Sequence, residues 1–113
     1  VFRAQGAGVI LNTASTAGLR PRPGLTWYNG SKGAVITLTK SMAVELAPDK
    51  IRVNALCPVA GDTPMLDAFL GKNPYEAFVA TVPLGRLSTP LDIADEAEFL
   101  TGVCLEVDGG RCV

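Results

Sequence analysis

Two short apolar runs, separated by one long helical segment, limit what this chain can fold into. Val9-Ile10-Leu11-Asn12-Thr13 and Ile51-Arg52-Val53-Asn54-Ala55-Leu56-Cys57 have the length and β-branched content of strands, and the first reads as buried on both faces. From about Thr26 to Ala47 the pattern is helical. Ala34, Leu38, Met42 and Leu46 recur four apart, with Val35 and Ala43 widening the stripe. Pro48-Asp49 ends that helix and Pro58 closes the second run. Strand, long helix and strand make a βαβ unit, whose two strands lie parallel. The expected class is α/β.

The remaining segments extend this unit. Val1 to Gln5 reads as the tail of a helix stopped by Gly6-Ala7-Gly8. A loop from Ala14 to Leu25 carries the breakers Pro21, Pro23 and Gly24, and its Arg20 and Arg22 read as solvated. Pro64 to Val82 is irregular, with short helices, and Pro83-Leu84-Gly85-Arg86 is a turn. Thr89 then caps a helix that opens at Pro90. Val103 to Val107 is a third strand, turned at its end by Asp108-Gly109-Gly110. Three such strands make half of a doubly wound sheet, and the apolar first strand lacks a neighbour on one edge. The chain, which starts at Val1, is expected to be the C-terminal part of a single larger domain, residues 1–113, whose N-terminal half is absent.

Composition excludes several functions. The net charge of −1 offers no basic field for nucleic acid or an anionic membrane, and no apolar stretch approaches a bilayer span. The absence of histidine removes Ser-His-Asp and Cys-His catalysis and the usual metal sites, so no metal is expected. Cys57, Cys104 and Cys112 are odd in number and lack paired close spacing, so they read as reduced, structural residues of a cytoplasmic protein.

Acid–base work therefore falls to other side chains. Tyr28 and Lys32 are four apart near the start of the long helix, on one face. A phenol free in water titrates near pH 10. A cation about 4 Å away is worth on the order of 4 kcal/mol at an effective dielectric of 20, enough to favour the phenolate substantially. Such a pair can act as a general acid–base near neutrality. Alone it is weak, since chance gives Tyr-x-x-x-Lys in about one chain in ten. Ser15 lies just past the first strand, at the rim where open α/β sheets gather ligands. Pro58-Val59-Ala60-Gly61-Asp62-Thr63 follows the second strand at the same rim.

Asn12 to Gly18, Trp27-Tyr28-Asn29-Gly30-Ser31-Lys32, Ile51 to Pro58 and Thr63-Pro64-Met65 together resemble the short-chain dehydrogenase/reductase family. Pro83 to Leu87 and Leu105 to Gly110 extend the likeness over nearly the whole chain. It looks most like the branch of 3-oxoacyl-carrier-protein reductases and glucose or alcohol dehydrogenases. The resemblance implies a Rossmann-type doubly wound parallel sheet in three α/β/α layers. It also implies an NAD- or NADP-dependent exchange between a small secondary alcohol and a ketone. Ser15 would hydrogen-bond the substrate oxygen, Tyr28 would pass its proton, and Lys32 would support Tyr28 and hold the nicotinamide ribose. Thr63, with backbone near Pro58 and Gly61, would meet the carboxamide and phosphates. A homodimer or homotetramer is implied as well.

The chain departs from the family pattern in three places. The glycine-rich phosphate loop, the residue that separates NAD from NADP and a catalytic Asn would all precede Val1. Val59 and Gly61 stand where the family has Gly and a bulkier aliphatic residue. About two further helical turns are expected between Asp92-Ile93-Ala94 and the block that begins at Asp95. The alternative to an enzyme is a truncated, non-catalytic half-domain serving only oligomerisation or dinucleotide binding.

Overall fold

A computed structural model describes residues 1–61, 65, 66, 70, 75–94 and 101–112. Thr63, much of the Pro64 to Val82 stretch and the junction at Asp95 lie outside these residues. Val1 to Gln5 forms one helical turn, α1 (Phe2–Gln5), stopped at Gly6, whose φ of 66° is a left-handed conformation that costs glycine little. Strand β1 (Gly8–Thr13), helix α2 (Thr26–Leu46) and strand β2 (Ile51–Pro58) follow, with a 3-10 turn at Thr16–Gly18 and another at Ala47–Asp49. The short helices α3 (Tyr75–Val79) and α4 (Pro90–Ala94) precede strand β3 (Cys104–Val107).

The sheet runs β1-β2-β3 with both pairs parallel. Gly8 pairs with Ile51 and Thr13 with Leu56, so β1 and β2 end together. Central β2 is covered best, with Val53, Ala55 and Cys57 fully buried. Its odd-numbered residues face α2. Ile51 and Val53 pack with Ala43, Met42 and Leu46, while Ala55 and Cys57 pack with Ile36 and Val35. Each aliphatic side chain buried in this way contributes about 1.5–3 kcal/mol. A polar bridge sits inside this layer. Asn12 Nδ2 donates to the fully buried Thr39 Oγ1 at 2.9 Å, and Thr39 in turn donates to the Val35 carbonyl at 2.8 Å.

Two sequence expectations change. The buried line of α2 is Ile36, Thr39 and Ala43, whereas Ala34 and Leu38, both in the expected stripe, face outward. The helix is apolar on more than one side, so the periodicity of its outer row mimics that of a core face. Strand β1 is covered on one face only, since Val9 and Leu11 are nearly half exposed on the other. The cause is that α2 packs against the Ile10 and Asn12 side, and among the described residues β2 is the sole strand beside β1.

Beyond the C-terminal end of β2 a second core gathers Val59, Leu66, Leu70, Phe78, Val82 and Leu87. Helix α4 opens with a reciprocal cap. Asp92 accepts from the Thr89 N–H at 2.7 Å and from its hydroxyl at 2.8 Å, and Arg86 grips both Asp92 oxygens at 2.7 and 2.9 Å. The Arg86 guanidinium, followed by the Thr89 donors, holds the Asp92 carboxyl well below the usual carboxylate range. No helix among the described residues is long and apolar enough to cross a membrane.

Candidate active site

The parallel ladder carries one step past β1, where Ala14 N–H donates to the Leu56 carbonyl at 2.8 Å, and so delivers Ser15 to the sheet rim. Ser15 is buried and extended, and it caps the 3-10 turn. Its Oγ accepts from Ala17 N–H at 3.1 Å, which leaves the hydroxyl proton free to be donated elsewhere. The turn presses close on α2. A Cβ added at Gly18 would lie 2.8 Å from the Lys32 carbonyl carbon and 2.9 Å from the Gly33 nitrogen. Glycine is what lets the turn that carries Ser15 rest on the helix that carries Tyr28 and Lys32.

Tyr28 stands in the first turn of α2. One turn on, Lys32 Nζ lies 5.8 Å from the Tyr28 ring centroid and donates to the Thr13 carbonyl at 2.9 Å. The ammonium thus ties the helix to the end of β1. Pro58 ends β2, and Gly61 is bridged in parallel to Ser88.

Two cavities meet here, sharing Tyr28, Val59 and Gly61. The larger, about 440 Å³, also takes in Lys32, Pro58 and Ile93. Ser15 lines the smaller, about 80 Å³, together with Arg22 and Arg111. Ser15, Tyr28, Lys32, Pro58 and Gly61 are therefore gathered at one rim, and Thr63 is outside the described residues. Nothing in the sequence pattern marks Arg111, and the expectation that Arg22 is solvated changes. Arg22 is half-buried because Asn29 Nδ2, in α2, donates to its carbonyl at 2.8 Å and holds the loop against the helix. The signal available in the sequence is that Asn29 directly follows Tyr28.

The three thiols are free. Burial, then the neighbouring Cys104, pushes the Cys57 thiol up from 9.0 to about 11, so it is a packing group rather than a nucleophile. Glu106, Asp108 and Cys112 place donor atoms within 4.8 Å of one another. Arg20 already pairs with Glu106 at 2.7 Å, and Asp108 accepts from Gly110 and Cys112 N–H, so these charges are met without a metal ion.

Ser15, Tyr28, Lys32, Pro58 and Gly61 thus stand together at the C-terminal rim of a parallel sheet. Residues 1–111 match the profile of the family described as enoyl-(acyl carrier protein) reductase. The chain is 51% identical to the 4-formylbenzenesulfonate dehydrogenase of Comamonas testosteroni over 97% of its own length and 48% of that protein's. It superposes with a TM-score of 0.89 and 47% identity on a 3-ketoacyl-(acyl-carrier-protein) reductase from Brucella melitensis complexed with NADH, covering 99% of this chain and 49% of that one. The NADP-bound structure of ElxO is similar at a TM-score of 0.85 and 33% identity, over 98% of this chain and 49% of the other. The chain belongs to the short-chain dehydrogenase/reductase family. It spans about half the length of the curated relatives it matches.

Proposed function

We propose that the protein works as an NAD(P)-dependent oxidoreductase that interconverts a small secondary alcohol and its ketone, with Tyr28 as the proton-transfer group. The observation that carries this reading is the position of Tyr28, shared by a cavity that contains Ser15 and a cavity that contains Lys32. The larger cavity fits a nicotinamide riboside in chemistry. Pro58, Val59 and Ile93 offer apolar walls for a planar ring, and Lys32 offers a donor for ribose hydroxyls. When bound, the nicotinamide supplies or accepts the hydride. The chain's own residues do the rest. Ser15 donates its free hydroxyl proton to the substrate oxygen and steadies the charge that develops there. Tyr28 gives that oxygen a proton on reduction or takes it on oxidation. The Lys32 ammonium, fixed by the Thr13 carbonyl, positions the ribose beside Tyr28. The likeness to an NADH complex and to an NADP complex supports either dinucleotide as the cofactor. Gly61 and Thr63 are assigned to the carboxamide and phosphates.

The family likeness and the outward apolar row of α2, with Leu38 and Val44 well exposed, also support a homodimer or homotetramer assembled through that face. Free thiols suit a cytoplasmic setting.

Replacing Tyr28 tests the central assignment. In the full-chain protein, Tyr28→Phe should lower kcat by about a thousandfold or more while the dissociation constant for the dinucleotide, read by fluorescence, stays within a few-fold. Turnover that survived the substitution would remove Tyr28 from the proton path.

A further inference from the structure

Arg22 and Arg111 come from opposite ends of the chain and converge beside Ser15. Both line the small cavity that holds Ser15 and Tyr28, and both line a neighbouring cavity of about 330 Å³ with Thr16 and Thr81. Their guanidinium carbons stand over the same Phe78 ring, at 5.7 Å for Arg22 and 4.6 Å for Arg111. Two like charges are thus held across one buried aromatic side chain.

Neither guanidinium forms an ion pair among the described residues. The ion pairs there are Arg3 with Asp49, Arg20 with Glu106 and Arg86 with Asp92. Arg111 spends its Nε on the neutral Thr81 hydroxyl at 2.7 Å, which leaves its outer nitrogens to point elsewhere. Burial, and next the charge of Arg111, disfavour the charged form of Arg22. Cation–π contact with Phe78 offsets part of that cost but leaves the repulsion standing. Both residues are also anchored through their backbones. Asn29 holds the Arg22 carbonyl, and the Arg111 N–H donates to the Asp108 carbonyl at 3.2 Å. Positioned, partly desolvated guanidinium pairs are what bidentate recognition of an oxyanion requires.

We propose that Arg22 and Arg111 form an anion subsite that seats a sulfonate or carboxylate borne by the substrate beyond its reacting carbonyl. This rests on the oxidoreductase reading, because Ser15 and Tyr28 fix where that carbonyl lies. The anionic tail enters past Thr16 and Ala17, its charge relieves the repulsion across Phe78, and the carbonyl is thereby aimed at Ser15. Substrates that lack the charge leave the repulsion between the two guanidiniums in place and are disfavoured.

Two measurements on the full-chain protein test this. Calorimetric titration with benzenesulfonate should show binding in the millimolar range or tighter, weakened about tenfold or more in Arg22→Gln and weakened again by added sodium chloride in the unmodified protein. No binding, or binding indifferent to both changes, overturns the subsite. Reduction of para-acetylbenzenesulfonate and para-methylacetophenone gives the second readout. The ratio of their kcat/KM values should favour the sulfonate and fall about tenfold in Arg22→Gln, with partial recovery in Arg22→Lys. An unchanged ratio overturns the proposal. If Arg22→Gln fails to fold, Arg111→Gln and the salt dependence of the unmodified protein decide the same question. Failure to reduce either ketone would count against the oxidoreductase reading, while the benzenesulfonate titration still decides the subsite.

Discussion

The pairing of Tyr28 with Lys32 and the placement of Ser15 are readable from the sequence because both depend on short-range geometry. Residues four apart on a helix share a face, and a serine two residues past a strand reaches the rim. Arg22 and Arg111 are not readable, because only the folded chain brings the end of one loop to the turn after β3. Cys57 reads as structural from its isolation in the sequence, and its surroundings supply the reason. Its thiol is raised from 9.0 to about 11 by burial and by Cys104, so in the folded state it keeps its proton longer than in the unfolded chain. Below about pH 9 both states are protonated and the contribution is whole; as pH rises from there to about 11 the unfolded state ionises first and stability falls, by up to about 3 kcal/mol. Urea unfolding at successive alkaline pH values should show this loss, and Cys57→Ala should flatten it. An equal slope in the variant would assign the alkaline loss to other groups.

At the scale of elements, the strands and the span of α2 are legible, since β-branched runs and proline breakers mark both ends. Which way α2 faces is not. Ile36, Thr39 and Ala43 form the buried line while Leu38 and Val44 are turned out, and a helix that is apolar on two sides carries no single stripe to read. One contact that holds this orientation is the close approach of Gly18 to the backbone of Lys32 and Gly33. Gly18→Ala should therefore destabilise the protein by about 1–3 kcal/mol, because helix backbone cannot rotate away as a side-chain tip can. It should also lower turnover by shifting Lys32 relative to Ser15. An unaltered urea midpoint would mean that the turn and the helix are free to part.

At the scale of the molecule, two of the apolar surfaces left open among the described residues bear on assembly. Val9 and Leu11 line one on β1, and Leu38 and Val44 line the other on α2. The radius of gyration, 15.6 Å, exceeds the roughly 13 Å of a compact domain of this length. If α2 pairs with α2 of a second copy, Leu38→Glu combined with Val44→Glu should reduce the molar mass seen by light scattering to that of one chain. A mass unmoved by the double substitution would place assembly elsewhere. The meeting of two cavities at Tyr28 has a consequence of its own. If the substrate oxygen is held by Ser15 and Tyr28 and its far end is drawn toward Arg22, as proposed, a flat carbonyl can turn only one of its two faces to the larger cavity. The alcohol formed would then be of a single hand, chosen by where the charged tail is tethered.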